Sequence, residues 1–370
     1  MLSQLPWLTT CCLLLLSTPI SGALIRRDNL NTTRAAVDAM MTLYDPTTGL
    51  WDPSSNGSSW WQSGVALWIL ADYMVRTGSR AYLVQAENTV AIQRAPLSWW
   101  PEGGGDFRAD STDDTGWWAL AMTSMYQLTG DDMYLAIARE DEAYMYAYWN
   151  TTTCGGGLIW NIPAGTYHNA ISNELYLQLT ARLHNLIPGD TLYLNRSLQE
   201  WSWFNRSGMV NAQGLVNDGL TDNAACVNNG MPTWTYNQGV VLGGLVELHA
   251  ATGDGTYLSA ARRIADAVLA SASLVQGGVL TEPCASEEEC EPNGTAFKGI
   301  FAKELGRLDA ALADRPYAAF LEGNARAAHA NARNASAGNY YGFRWQGPFD
   351  RVTVGSQEAA VGLLMAAYLE

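Results

Sequence analysis

Paired helices, repeated at a length that common solenoids do not use, constrain this chain more than any other feature. "WWQSGVALWILADYMVRTGSRAYLVQAENTV" reads as a helix, a Thr77-Gly78 stop and a second helix. "DTGWWALAMTSMYQLTGDDMYLAIARE" does the same at Thr129-Gly130. Three further segments turn at Pro188-Gly189, at Thr252-Gly253 and near Asp314 and Pro316. Glycine after a last helical turn is a C-cap, and the next helix begins at once on a polar residue. The turns lie 52, 59, 64 and about 61 residues apart, whereas common helical solenoids repeat every ~33 to 47 residues. The last helix, "GSQEAAVGLLMAAYL", has no partner after it, and "NTTRAAVDAMMTLY" has none before it. If these ends close on each other, the hairpins number six.

The two helices of a hairpin differ in character. First helices such as "GVVLGGLVELHAA" are small and apolar nearly all round, which implies burial on several faces; second helices such as "SAARRIADAVLA" carry charge on one face. Six buried helices ringed by six amphipathic ones make an all-α (α/α)6 barrel, with an irregular all-α protein as the alternative. Residues 24–370 then form a single domain. The connections from each outer helix to the next inner one are long and rich in Gly, Trp, Asn and Asp, and all emerge at one end. Long loops on one rim of a rigid scaffold are where a site is expected.

The chain's 370 residues carry a net charge of −15, which argues against nucleic-acid or anionic-membrane partners. "MLSQLPWLTTCCLLLLSTPISGA", residues 1–23, reads as a signal peptide with a small-x-small site at Ser21-Gly22-Ala23, and no later apolar run is long enough to span a membrane. Cys154, Cys226, Cys284 and Cys290 remain, an even set that suggests two disulfides in a secreted chain. Cys284 and Cys290 flank a short acidic loop and are paired, which leaves Cys154 with Cys226. The four histidines show no metal-ligand spacing with them. Sequons at Asn31, Asn56, Asn150, Asn195, Asn205, Asn293 and Asn334 agree with a glycosylating pathway.

The stretch "DSTDDTGWWALA" puts Asp113 and Asp114 where a long loop enters an inner helix. Helix capping is one reading, since acids in a first turn suit the macrodipole. The other is catalytic. Neighbouring helical residues are ~100° apart around the axis, so two carboxyls can flank one atom, and retaining glycosidases need theirs ~5–5.5 Å apart. Helix-start amides favour ionisation of one, and its charge raises the pKa of the other. Fifteen Trp and seventeen Tyr suit a large core or a carbohydrate cleft. Trp100, Trp117 and Trp118 lie near the pair in sequence, with one of Trp117 and Trp118 expected in the core and the other nearer the rim. Other inner-helix starts offer Trp61, His168, Asn169, Asn173, Tyr236, Asn237, Gln238, Lys298 and Gln357, many of them hydrogen-bonding groups of the kind a polyol needs. Each is equally readable as a cap or a loop contact.

"DDTGWWALA", "HNAISN", "YNQGVVLGGLVELHAATGD", "FKGIF" and "SQEAAVGLL" together resemble the endo-α-1,6-mannanases of glycoside hydrolase family 76, from about residue 30 to the C-terminus. The resemblance implies the (α/α)6 barrel and hydrolysis of α-1,6-mannosidic bonds with retention, Asp113 being the nucleophile and Asp114 the general acid/base. The Cys154 and Cys226 positions look like those of the fungal secreted branch. His168 departs from the family pattern, since many members have Lys there. The expected partner is α-1,6-mannan or a manno-oligosaccharide, the chain is expected to act as a monomer, and no metal or organic cofactor is called for. The alternatives are a cell-wall transglycosidase, a non-catalytic mannan-binding protein and, less favoured, a lyase or uronate hydrolase.

Overall fold

The computed structural model describes residues 19–51, 60–284, 290 and 292–370. Most of the leader read at residues 1–23, and the sequon at Asn56, lie outside the described residues. Among the described residues, twelve α-helices follow in order: α1 (Pro19–Met41), α2 (Trp60–Thr77), α3 (Leu83–Gln93), α4 (Thr112–Thr129), α5 (Asp132–Tyr146), α6 (Ala170–Leu186), α7 (Leu192–Ser207), α8 (Thr235–Thr252), α9 (Gly255–Ala270), α10 (Gly294–Ala311), α11 (Ala318–Asn331) and α12 (Val354–Tyr368). The even-numbered helices form a closed ring, each touching the next and α12 touching α2. The odd-numbered ones lie outside. α1 packs on α12, and Gln357 Nε2 donates to Ala36 O at 2.8 Å, so the two ends of the chain do meet. The architecture is the (α/α)6 toroid.

Burial follows the two helix types. α2 is buried continuously from Trp61 to Met74, whereas α9 buries only Ala260, Ala261, Ile264, Ala265 and Val268, a single stripe. Inner helices approach closely because glycines lie between them. A Cβ on Gly299 of α10 would stand 2.0 Å from Ala359 Cα of α12, and one on Gly239 of α8 would stand 2.6 Å from Phe301 Cα.

Short connections lie at one end, and long ones, three of which contain two-stranded hairpins, at the other. The fourth residue of an inner helix repeatedly holds the loop before it. Ser63 Oγ accepts from Trp51 N at 3.0 Å, Thr115 Oγ1 from Ala109 N at 3.0 Å and Gln357 Oε1 from Tyr341 N at 2.8 Å. Asn173 bonds both N (2.7 Å) and O (3.2 Å) of Leu158, and Gln238 both N (2.8 Å) and O (2.7 Å) of Val216. In α10 that position is Phe297, and Leu280 N is taken instead by Asn324 of α11. Gln238→Ala therefore orphans two buried backbone groups. We expect a loss of about 1–3 kcal/mol, read as a lower thermal midpoint.

The end opposite the long loops is closed by charge. Asp72 meets Lys303 at 2.9 Å, Arg182 at 3.7 Å and Ser124 Oγ at 2.6 Å, and Glu304 meets Lys303 (3.1 Å) and Arg307 (2.9 Å). Burial pushes the Asp72 carboxyl up, but the Lys303, Arg182 and Arg76 cations outweigh it and hold the group far below the usual carboxylate range. Among the described residues, no helix is long and apolar enough to cross a membrane.

Candidate active site

The long-loop rim contains a cavity of about 150 Å³ lined by Asp113 and Asp114 of α4. These are the second and third residues of the helix. Ser111 precedes it in extended conformation and makes no side-chain cap, while Thr112 Oγ1 donates to Ile159 O at 2.8 Å. Thr112 N also donates to Trp160 O (3.0 Å), and Ile162 N to Asp110 O (2.9 Å). This pairing brings the α5–α6 loop over the helix start, where Trp160 Nε1 donates to Asp113 Oδ1 at 2.9 Å.

The two carboxyls meet different surroundings. Burial raises Asp113 to about 6, against the opposing pull of hydrogen bonds from Ser111, the Asp114 amide (3.0 Å) and the Trp160 indole. Asp114 is pushed well above the usual range by burial, then by the charges of Asp113 and Asp110. Among the described residues its oxygens have no hydrogen-bond partner. Both side chains are half-buried and line the cleft. One acid is thus poised to ionise and its neighbour to hold a proton.

The cleft has an aromatic wall. Tyr236 and Phe297 stack at 3.8 Å, and Trp117 lies 5.5 Å from Trp61 and 6.4 Å from Tyr236. Asp218 and Tyr167 line the cleft as well: Asp218 Oδ2 accepts from Tyr167 OH at 2.5 Å, and Asn229 Nδ2 donates to that hydroxyl at 2.8 Å. Asp218 reaches the site because Ala170 N donates to its backbone oxygen (2.7 Å), tying the α7–α8 loop to the start of α6. Burial raises its carboxyl pKa as well.

Of the residues singled out in the sequence, the cleft gathers Asp113, Asp114, Trp61, Trp117, Asn169 and Tyr236. The others stand elsewhere. Trp118 is fully buried, stacked 4.6 Å from Phe107, so of the two adjacent tryptophans Trp117 faces the cleft and Trp118 the core. Trp100 is held by Nε1 to Tyr144 OH at 2.9 Å. Asn173, Gln238 and Gln357 are the loop anchors described above, so their recurrence at helix starts reflects the scaffold rather than a sugar-binding rim. His168 is buried with Nδ1 on Thr166 O (3.2 Å), and burial lowers its pKa, leaving it neutral. Asn237 is buried outside the cleft. Lys298 lines a separate cavity of about 320 Å³ beside Glu282. Its ammonium donates to Phe343 O (2.5 Å) and sits 3.7 Å over the Phe343 ring, which occupies it in holding the loop before α12.

Trp160, Tyr167 and Asp218 were missed because they come from loops whose course no local pattern fixes. Asn293, read as a sequon, lines the cleft and accepts from Trp61 Nε1 at 3.0 Å, and Phe297 joins it there. Disulfides join Cys154 to Cys226 and Cys284 to Cys290. Asn31, Asn195 and Asn205 are exposed, and Asn150 and Asn334 are half-buried.

An aromatic cleft with two adjacent carboxyls of unequal acidity, on an (α/α)6 toroid, has the groups that a two-carboxylate glycoside hydrolase uses. Residues 29–370 match the family model of glycosyl hydrolase family 76, and the chain belongs to that family. It is 26% identical over 336 residues to a putative mannan endo-1,6-alpha-mannosidase of Schizosaccharomyces pombe, covering 86% of this chain and 74% of that protein. It is 23% identical to the Candida albicans mannan endo-1,6-alpha-mannosidase DFG5, covering 88% and 75%. In structure it resembles an inactive double-aspartate variant of the Salegentibacter α-1,6-mannanase in complex with α-1,6-mannotetrose. The TM-score is 0.81 at 24% identity, over 92% of this chain and 99% of that one. Dfg5 from Chaetomium thermophilum, in complex with glucosamine, gives 0.79 at 21%, over 93% and 90%.

Proposed function

We propose that the protein is a secreted, endo-acting hydrolase of α-1,6-mannosidic bonds that works with retention through a covalent glycosyl-enzyme. Residues 1–23 are its signal peptide and 24–370 its single catalytic domain, acting as a monomer. The observation that carries this reading is the split between Asp113, hydrogen-bonded by Trp160 and the Asp114 amide, and Asp114, which has no such donors. The relatives' mannan specificity, and the mannotetrose bound by the Salegentibacter enzyme lacking two aspartates, support it.

In this mechanism Asp114 gives its proton to the glycosidic oxygen as that bond breaks, while the Asp113 carboxylate attacks the anomeric carbon and forms a glycosyl ester. Asp114, now ionised, takes a proton from water, whose oxygen attacks the same carbon and releases Asp113. Trp61, Trp117, Tyr236 and Phe297 offer flat faces to sugar C–H groups, and Asp218, Tyr167 and Asn169 offer hydrogen bonds.

The pH profile tests the assignment. Catalysis needs Asp113 ionised and Asp114 protonated, so kcat/KM on an α-1,6-manno-oligosaccharide should be bell-shaped, with an acidic limb near the Asp113 value of about 6. Trp160→Phe removes a donor that stabilises the Asp113 carboxylate, so this limb should move to higher pH. An unmoved limb contradicts the role given to Asp113.

A further inference from the structure

We propose that Trp99 forms a subsite outside the cleft, on the aglycone side, where a sugar ring of the mannan chain stacks. This deepens the reading above and rests on it. Of the described tryptophans only Trp99, 53% exposed, and Trp160, 37% exposed, stand out in solvent. Both belong to long-rim loops, and each leads to one member of the carboxyl pair.

Trp160 touches Asp113 directly. Trp99 connects to Asp114 through packed rings. Asp114 and Trp118 are four residues apart on α4 and so share one helical stripe. Trp60 lies 4.9 Å from Trp118, and Trp99 lies 5.7 Å from Trp60 in an edge-to-face contact at 81°. Trp118 is buried in the core, so the stacked tryptophans form a wall behind the cleft that comes out at Trp99 on the acid's side of the pair. An acid that protonates the departing oxygen faces the leaving sugar, so this wall borders the aglycone half of a bound chain.

The support beneath Trp99 is stiff. Trp60 Nε1 is held by Gln93 Oε1 at 2.8 Å, and the neighbouring Trp100 by Tyr144, whose hydroxyl reaches Ala109 O at 2.8 Å. Arg94 pairs with Asp106 at 2.8 Å, and Arg108 Nε donates to Gly103 O at 2.6 Å. Burying the exposed face of this indole against a ligand would release free energy in proportion to the apolar area covered. A sugar's apolar C–H face fits that surface, and it stacks without needing hydrogen bonds of its own.

Calorimetric titration tests the proposal in an Asp113→Asn background, where turnover is blocked. α-1,6-Mannohexaose is long enough to reach Trp99, and α-1,6-mannobiose is confined to the cleft. On adding Trp99→Ala, affinity for the hexaose relative to the biose should fall about tenfold, the size of one lost aromatic contact. Trp99→Tyr, which keeps a flat face, should recover most of it. An unchanged ratio, or equal loss for both sugars, overturns the subsite. Failure of the parent to bind either sugar overturns it too. An unsubstituted enzyme that releases no product from mannan refutes the hydrolase reading instead, while the binding ratio still judges Trp99.

Discussion

Asp113→Asn should abolish mannan cleavage, because an amide forms no glycosyl ester, and Asp114→Asn should lower kcat by about 10²–10⁴-fold, the range for a lost general acid. Neither change should unfold the protein. Asp114 titrates well above its ordinary value in the fold, so the native state binds a proton that the unfolded chain has already released. Stability from this group is full below the unfolded pKa of about 3.9 and is lost as pH rises toward the folded value. An Asn has no such loss. The Asp114→Asn protein should therefore melt at or above the wild-type temperature at pH 8, with the gap closing toward pH 5. Reducing-sugar release and thermal melts at the two pH values check both halves. Full activity in both variants would discard the site.

The largest expected effect on stability comes from a methyl group. Gly299→Ala puts a Cβ 2.0 Å from Ala359 Cα and 2.7 Å from its carbonyl oxygen. Those are backbone atoms of the adjoining inner helix, so no rotamer change relieves the clash. α10 and α12 must separate, and the cost should reach or exceed the upper end of the ~1–3 kcal/mol typical of overpacking. Gly323 on outer helix α11 is the matched control. A Cβ there meets nothing within 4 Å, and Gly323→Ala should stabilise by about 0.5–1 kcal/mol through helix propensity. Denaturant midpoints of the two variants, moving in opposite directions, would confirm that closeness between inner helices holds the ring together. A tolerated Gly299→Ala would contradict it.

The toroid was legible because its signals are local and repeated. Thr-Gly stops mark the hairpin turns, and Gly78, Gly130 and Gly253 do adopt the left-handed conformation expected there. The contrast between all-round apolar and one-sided helices separates inner from outer layers. Even the closing of the two ends followed from an unpartnered helix at each.

The site was legible only where it lies on helices or at their caps, as Asn169 does. Asp113, Asp114, Trp61, Trp117 and Tyr236 sit in first or second turns of inner helices, so the repeat places them at the rim. The same argument misdirected Gln238, Asn173 and Gln357. An amide at a helix start faces either the mouth or the backbone of the loop before it, and spacing does not distinguish the two. Asp218, Trp160 and Tyr167 arrive on loops held by backbone pairing distant in sequence, such as Ala170 N to Asp218 O, which leaves no periodic trace.

The most direct test follows the first product by proton NMR as the enzyme cuts α-1,6-mannotetraose. Double displacement at Asp113 requires the newly freed anomeric centre to appear as the α-anomer, with the β-anomer growing only at the rate of mutarotation. A first product of β configuration, or no cleavage at all, would contradict the account.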